Sequence, residues 1–341
     1  MVSVGLICGP TGGHIIPAYL VGRELRNQGA DTVLYTVDSE ALNLLPDTDL
    51  SVEELDVKPW SGRSTLGKLQ ALLSMASEYL HLRTEIADHD VLISFGGYPA
   101  VPGLLAAWEK DVTVYFQEQN RVMGRTHRLF QNLSTKTFHG FPPREGYDDP
   151  TRVLAGNPVR EPGSPNEEWF ENSPLLVVVG GSQGSREVSE HLQTSGKQLI
   201  EEGWSIYYVT GKFGRDLSGE PWAGTDSFRQ VEYDHNLQDV LSRADCVWSR
   251  AGAGTLSELI SYRTPALVFP FGSSTDNHQR ANANWVSARG PVDVVDTNND
   301  PSGEELLRRT ESLRQVEEAY SVPWDNKTPP AERIAREILS S

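Results

Sequence analysis

Short apolar runs alternate with longer stretches of helical periodicity along almost the whole chain. The runs fall at 2–8, 32–37, 51–56, 90–95, 112–116 and 135–139 in the first half, and at 175–179, 205–209, 228–233, 245–248, 266–269 and 292–295 in the second. Runs of this length, rich in β-branched and aromatic residues, predict strands. Between them, 17–28 and 66–87, then 184–202, 236–243, 254–262, 277–287 and 303–319, predict helices. Such alternation is the pattern of parallel sheets with crossover helices, so each half reads as a Rossmann-like α/β domain. Over 66–87, Leu66, Leu69, Leu73, Ala76 and Leu80 recur at helical spacing, a stripe that normally faces a core. Residues 91–108 carry no charge, but Gly96, Gly97, Pro99, Pro102 and Gly103 divide them into strand, loop and short helix, not a membrane span.

The alternation lapses between 141 and 174, where Pro142, Pro143, Pro150, Pro158, Pro162 and Pro165 cluster among glycines and acidic residues. This places a hinge near 157–165 and predicts a first domain over 1–158 and a second over 159–325. A polar break at 323–330 precedes a last helical stretch, 331–339, which by itself fits either domain. A glycine-rich turn stands at a matching place in each half. Gly9-Pro10-Thr11-Gly12-Gly13-His14 follows the first strand, and Gly180-Gly181-Ser182-Gln183-Gly184-Ser185 follows the strand at 175–179. Each reads as strand, tight turn, helix start. Glycine permits positive φ and close backbone approach, and the helix start presents unpaired N–H groups, so each turn is an anion cradle. Two cradles predict a phosphorylated ligand bound in a cleft between two domains.

The 341 residues suffice for two cores. The net charge of -17 divides into -6 over 1–158 (13 basic, 19 acidic) and -11 over 159–341 (17 basic, 28 acidic), so neither half has the basic surface of a general nucleic-acid binder. Cys8 and Cys246, both inside apolar runs, are the only cysteines, which argues against a disulfide framework and for a reducing cytoplasm. No export signal is read at the N-terminus. A dinucleotide fingerprint needs G-x-G-x-x-G with an acidic residue about twenty positions on. Neither turn fits, and Gly252-Ala253-Gly254 continues into Thr255-Leu256-Ser257 without the third glycine. No P-loop occurs, and Asp47-Thr48-Asp49 is a lone acidic pair in a polar loop.

His14 closes the first turn at a helix start, where the dipole disfavours the imidazolium and leaves a neutral base near pH 7; a capping or packing histidine is the alternative. Phe95-Gly96-Gly97-Tyr98 and Gln117-Glu118-Gln119-Asn120 follow two further strands. Tyr98, Glu118 and Asn120 should therefore gather at the same sheet edge, the ligand crevice of an open α/β sheet, although Glu118 equally suits a cap for the next helix. In the second half, Arg250 begins a run of small residues that ends with Glu258 in a first helical turn. Glu258 either complements the dipole or accepts from a ribose diol. Asp276, Asn277, His278 and Gln279 open the next helix within reach of the same pocket.

Six segments occur together in the order and spacing of the MurG family of glycosyltransferases: Gly-Pro-Thr-Gly-Gly-His (9–14), Gly-Gly-Tyr (96–98), Glu-Gln-Asn (118–120), Gly-Asn-Pro-Val-Arg (156–160), Val-Gly-Gly-Ser-Gln-Gly (179–184) and Ser-Arg-Ala-Gly-Ala-Gly-Thr-Leu-Ser-Glu (249–258). The chain resembles that family over residues 1 to 290. The resemblance implies a GT-B fold, with the last helix (329–341) crossing back onto the first domain. It implies inverting transfer of N-acetylglucosamine from UDP-GlcNAc to the C4 hydroxyl of the MurNAc of lipid I, without metal or cofactor, at the cytoplasmic face of the cell membrane. By the same resemblance Thr11, Gly12, Gly13, Tyr98 and Asn120 form the acceptor side and reaction centre, and Thr11, Gly12, Gly13 and Asn120 also reach the donor. Arg160, Gly181, Ser182, Gln183 and Gly184 hold its diphosphate. Ala253, Gly254, Thr255, Leu256, Ser257, Glu258 and Gln279 hold the nucleotide, with Glu258 on the ribose. Three departures from the family stand out: Pro10 replaces a glycine, Gln117 replaces a histidine, and Asp234 stands where an apolar residue's backbone reads uracil. Gln117 cannot serve as a base, which strengthens the case for His14 in that role. A polyprenyl-anchored acceptor requires docking on anionic lipid. Trp60, Leu66, Leu69 and Leu73 near Arg63 and Lys68, with Arg121, Arg125 and Arg128, are the surface for it unless the leucines are core. The rival readings are a GT-B transferase with another lipid or glycan acceptor and a catalytically silent nucleotide-sugar sensor.

Overall fold

The computed structural model describes residues 1–37, 45, 50–60, 64–146, 148–163, 173–181, 183–272, 277–296, 301–316, 319–324 and 327–340. The chain forms two compact units, Met1–Val159 with Trp324–Ser341, and Arg160–Pro323. Unit 1 holds a sheet of β1 (Ser3–Ile7), β2 (Asp31–Thr36), β3 (Ser51–Glu54), β4 (Val91–Ser94), β5 (Thr113–Glu118), β6 (Ser134–His139) and β7 (Arg152–Leu154), in the order β3-β2-β1-β4-β5-β6-β7. All pairings are parallel. Its helices are α1 (Gly12–Asn27), α2 (Thr65–Glu85), α3 (Ala100–Lys110) and α4 (Arg125–Leu129). Central β4 is buried along its whole length, as parallel strands covered on both faces must be. The edge strand β3 instead turns two glutamates to solvent, which discourages pairing with another chain.

Unit 2 repeats the plan with β8 (Leu175–Val179), β9 (Ser205–Val209), β10 (Phe228–Val231), β11 (Cys246–Ser249), β12 (Ala266–Val268) and β13 (Val292–Val294), in the order β10-β9-β8-β11-β12-β13. Its helices are α5 (Arg186–Glu201), α6 (Leu237–Leu241), α7 (Ala253–Tyr262), α8 (His278–Ser287) and α9 (Gly303–Arg314). Trp204 and Trp248 are fully buried in its core. Each indole N–H finds an acceptor, Glu311 Oε1 at 2.6 Å and Thr310 Oγ1 at 2.9 Å. Helix α10 (Pro330–Leu339) follows unit 2 in the chain, yet Ile334, Ala335 and Ile338 complete the core of unit 1 beside Ile15, Ala18, Val21 and Leu25. Arg333 fixes it further by donating to the Ala155 carbonyl at 2.7 Å.

In both sheets the first strand has the second on one side and a later strand on the other. The strand order therefore reverses between β1 and β4 in unit 1 and between β8 and β11 in unit 2. Loops leaving the carboxyl ends of such neighbours splay apart and leave room for a ligand. The 9–14 and 180–185 turns are at these two places. The leucine stripe behaves otherwise than its spacing suggests. Helix α2 buries Ala71, Glu78 and Leu82, whereas Leu66, Leu69 and Leu73 are 67%, 53% and 63% exposed. Among the described residues no helix is long and apolar enough to cross a membrane.

Candidate functional site

At the reversal point of unit 1 the loops leaving β1 and β4 touch backbone to backbone. A Cβ placed on Gly97 (φ +86°) would fall 2.6 Å from Gly9 Cα, and one on Gly9 would fall 3.0 Å from His14 Nδ1 and 3.2 Å from Gly97 Cα. Only glycine permits this approach at 97. Thr11 is the N-cap residue of α1 by backbone alone. Its hydroxyl lies 2.8 Å from His14 Nδ1. A proton-accepting Nε2 on His14 requires the tautomer in which Nδ1 donates to Thr11 Oγ1.

Tyr98 and Asn120 stand half-buried at this edge. Gln117 is fully buried in an amide network: its Nε2 donates to Asn157 Oδ1 at 3.0 Å, and its Oε1 accepts from Gln119 Nε2 at 2.6 Å. Glu118 is also buried, its Oε1 accepting from the Asn120 N–H at 3.1 Å and its Oε2 from the Gly124 N–H at 2.9 Å. His127 Nδ1 is 3.0 Å from the same Oε2. Burial pushes the Glu118 carboxyl up, but His127 and the Gly124 and Asn120 N–H groups pull it down further, to below the ordinary carboxylate value. Glu118 is thus a brace for the loop that carries Asn120 rather than an open reacting group. His139, at the end of β6, is buried with neither ring nitrogen hydrogen-bonded. Desolvation lowers its pKa to about 4.

In unit 2 a Cβ on Gly180 would fall 2.1 Å from Ser185 N, and one on Gly184 (φ +77°) 2.1 Å from the Thr210 carbonyl oxygen. Gly181 (φ +85°) has nothing within 4 Å of that position and so looks onto open space. Ser182 lies outside the described residues, as does Asp276. Gln183 is exposed, and Ser185 caps α5 through Val188 N at 3.3 Å. Glu187 puts a negative charge in the first turn of α5, where it would oppose an anion. Arg250 meets it with Nη2 to Oε2 at 2.8 Å, and the Arg250 guanidinium also lies 5.0 Å from the Phe271 ring centroid.

Arg160 and Glu258 are brought together, Nη2 to Oε1 at 3.6 Å. Arg160 Nη1 donates to the His235 carbonyl at 3.0 Å, and its own carbonyl accepts from the Tyr262 hydroxyl at 2.6 Å. Its Nε is buried without a partner. Burial raises the Glu258 pKa and Arg160 offsets part of the rise. Within α7, Leu256 is buried and Ser257 Oγ donates to the Ala253 carbonyl at 2.8 Å. Those two side chains therefore face the unit's interior, and Gly254, Thr255 and Glu258 form the half-buried part. The Asp234 carboxylate is engaged by the Tyr207 hydroxyl and the Asn236 N–H, each at 2.8 Å. Gln279 Oε1 accepts from the Phe271 N–H at 2.9 Å. Sequence reasoning gave no role to His127 or Arg250. His127 lies in no motif, and its partners come from β4 and β5, so nothing local marks it.

Residues 4–139 match the N-terminal domain of glycosyltransferase family 28, and residues 175–337 match its C-terminal domain. A UDP-N-acetylglucosamine--N-acetylmuramyl-(pentapeptide) pyrophosphoryl-undecaprenol N-acetylglucosamine transferase from Alcanivorax borkumensis is 33% identical over 299 residues, covering 84% of this chain and 83% of its own. One of the same description from Vibrio cholerae is 28% identical over 340 residues, covering 96% and 93%. Among solved structures, Acinetobacter baumannii MurG superposes with a TM-score of 0.72 at 21% identity over the full length of both chains. A UDP co-structure of S. aureus MnaA gives 0.70 at 14% identity, over 99% of this chain and 95% of that one. These likenesses place both Rossmann-like units in the GT-B fold class.

Proposed function

Because the chain belongs to the family of UDP-N-acetylglucosamine--N-acetylmuramyl-(pentapeptide) pyrophosphoryl-undecaprenol N-acetylglucosamine transferases and is a glycosyltransferase, we propose that it moves N-acetylglucosamine from UDP-GlcNAc to the C4 hydroxyl of the MurNAc of lipid I, with inversion at the anomeric carbon. The observation that carries this reading is the glycine-rich anion turn at the strand-order reversal of each sheet. In unit 2, the open backbone at Gly181 and the start of α5 receive the donor diphosphate, Arg160 adds a cation, and Glu258 accepts from the ribose hydroxyls. In unit 1, His14 Nε2 takes the proton from the acceptor hydroxyl while that oxygen attacks C1 from the face opposite the diphosphate. The C1–O bond to the diphosphate breaks with its electron pair passing to UDP. N–H groups already aligned at the α5 start meet the growing charge without reorganising, which is where such barriers are most effectively lowered.

The exposed stripe on α2 supports peripheral docking at the cytoplasmic face of an anionic membrane. Trp108 is 71% exposed, and Lys68 lies 6.0 Å from the Trp60 ring centroid. An apolar face bordered by cations is what lipid headgroups and acyl chains accept together. UDP release from UDP-GlcNAc, measured with and without lipid I, tests the reaction. Release should depend on lipid I. UDP-GlcNAc binding without release would make the chain a sensor, and release only with a different acceptor would change the substrate.

A further inference from the structure

A buried hydrogen-bond chain joins the Gly96-Gly97-Tyr98 turn to the loop that carries Asn120. The Gly96 N–H donates to Ser94 Oγ at 3.2 Å, Ser94 Oγ lies 3.1 Å from His127 Nε2, and His127 Nδ1 lies 3.0 Å from Glu118 Oε2. Glu118 in turn accepts from the N–H groups of Asn120 and Gly124. Ser94, His127 and Glu118 are 0%, 1% and 2% exposed. The imidazole is clamped flat on Phe116, with centroids 4.3 Å apart and planes 13° from parallel. A Cβ on Gly96 (φ +85°) would lie 3.4 Å from Cε1 of the same ring. The neighbouring Thr126 hydroxyl donates to the Gly97 carbonyl at 2.9 Å, tying α4 to the same turn a second time.

The partners fix the direction of the chain. A carboxylate only accepts, so Nδ1 carries a ring proton. In the neutral ring Nε2 accepts from the Ser94 hydroxyl, whose lone pair takes the Gly96 N–H, and each donor has an acceptor. We propose that His127 is a positioning residue for the transfer reaction: through Ser94 and Glu118 it sets the distance between the turn bearing Tyr98 and the loop bearing Asn120. Gly97 rests on Gly9, so the same linkage holds both groups in register with the turn that carries His14. Removing one link in a buried network leaves polar groups unmet on both sides of it.

The inference rests on the transfer reading above, and its test separates the two. His127→Ala, His127→Asn and Ser94→Ala are made in the full chain. For each, kcat with UDP-GlcNAc and a lipid I analogue, UDP affinity by calorimetry, and amide exchange at Gly96, Asn120 and Gly124 are measured. Asparagine keeps an N–H donor where Nδ1 stands and so keeps the Glu118 bond while losing the one to Ser94. His127→Ala should lower kcat roughly a hundredfold, the cost of about an ångström of misplacement, with Asn recovering part of it. UDP affinity should stay within about twofold, the mark of an effect on turnover and not on donor binding. Amide exchange at Gly96 and Asn120 should quicken in the same order. A folded His127→Ala with near-parental kcat overturns the proposal, as does equal loss in all variants accompanied by weakened UDP binding. If His127→Ala does not fold, His127→Asn and Ser94→Ala decide by the same criteria. Should the parent chain show no turnover with lipid I, the transfer reading fails instead, and amide exchange still decides whether His127 fixes the two loops.

Discussion

Glu258 combines burial, a raised pKa and a cationic neighbour, so it is poised to exchange one partner for another. If it accepts from the ribose hydroxyls, Glu258→Ala should weaken UDP by about 1.5–3 kcal/mol, a charged group's hydrogen bonds, and weaken 2',3'-dideoxy-UDP much less. Calorimetry on both ligands checks this, and equal losses would leave the carboxylate as Arg160's partner only. The glycines give a sharper contrast. Gly181→Ala places its Cβ in open space, so the fold bears only the left-handed backbone cost of about 1–2 kcal/mol, and the loss should appear in UDP affinity. Gly97→Ala adds a backbone collision to the same cost and should lower both melting temperature and turnover. His139 offers a pH handle. Unfolded, an imidazole titrates near about 6.5; folded, this one titrates at about 4. Between those values the unfolded chain holds a proton that the folded chain refuses, so stability falls as pH drops through that window and is unaffected above it. The loss at about pH 5 is roughly 2 kcal/mol, and His139→Phe should abolish it in urea unfolding compared at pH 7.5 and 5. Single residues were legible where the backbone demanded a type, as at Gly97 and Gly184. They were illegible where the meaning lay in a distant partner: Gln117 with Asn157, Asp234 with Tyr207, His127 with Ser94.

At the scale of elements, periodicity reveals that a helix has two faces without revealing which one is covered. The 66–87 stripe predicted a helix where α2 is found. The core, however, took the face of Ala71 and Leu82, and the richer leucine face was left in solvent. Strand β7 lies inside the proline-rich stretch that reads as the join between domains, and it exists by pairing with β6. The central strands, β4 and β8 among them, were visible because parallel strands covered on both sides need unbroken apolar runs. If α2 docks on lipid, Leu69→Glu with Leu73→Glu should abolish co-sedimentation with anionic vesicles while leaving melting unchanged, since neither side chain is in a core. Arg125→Glu with Arg128→Glu should weaken binding by about 1 kcal/mol per charge, and more at low salt. Arg121 is a poorer choice because its Nε holds the Pro142 carbonyl at 2.9 Å. Binding indifferent to the leucine changes would remove α2 from the membrane.

Taken as a whole molecule, the chain is one unit interrupted by another: Arg160–Pro323 is inserted between the body of unit 1 and the helix that completes it. Composition marked the proline-rich join, but whether the final helix belonged to either half depended on a contact made across the whole length of unit 2. Ile334 is fully buried against α1, so Ile334→Ala should cost about 2–5 kcal/mol. It should lower the unfolding of unit 1 in calorimetry while UDP affinity is kept. The same insertion governs how the protein can be born. Synthesis runs from the N-terminus, so α1 emerges from the ribosome well before the helix that packs against it, and all of unit 2 is made in the interval. Unit 2 is continuous in sequence and can close as soon as it is out. Unit 1, although first to appear, waits with its core short of Ile334, Ala335 and Ile338, and the nascent chain is in most need of a chaperone during that wait.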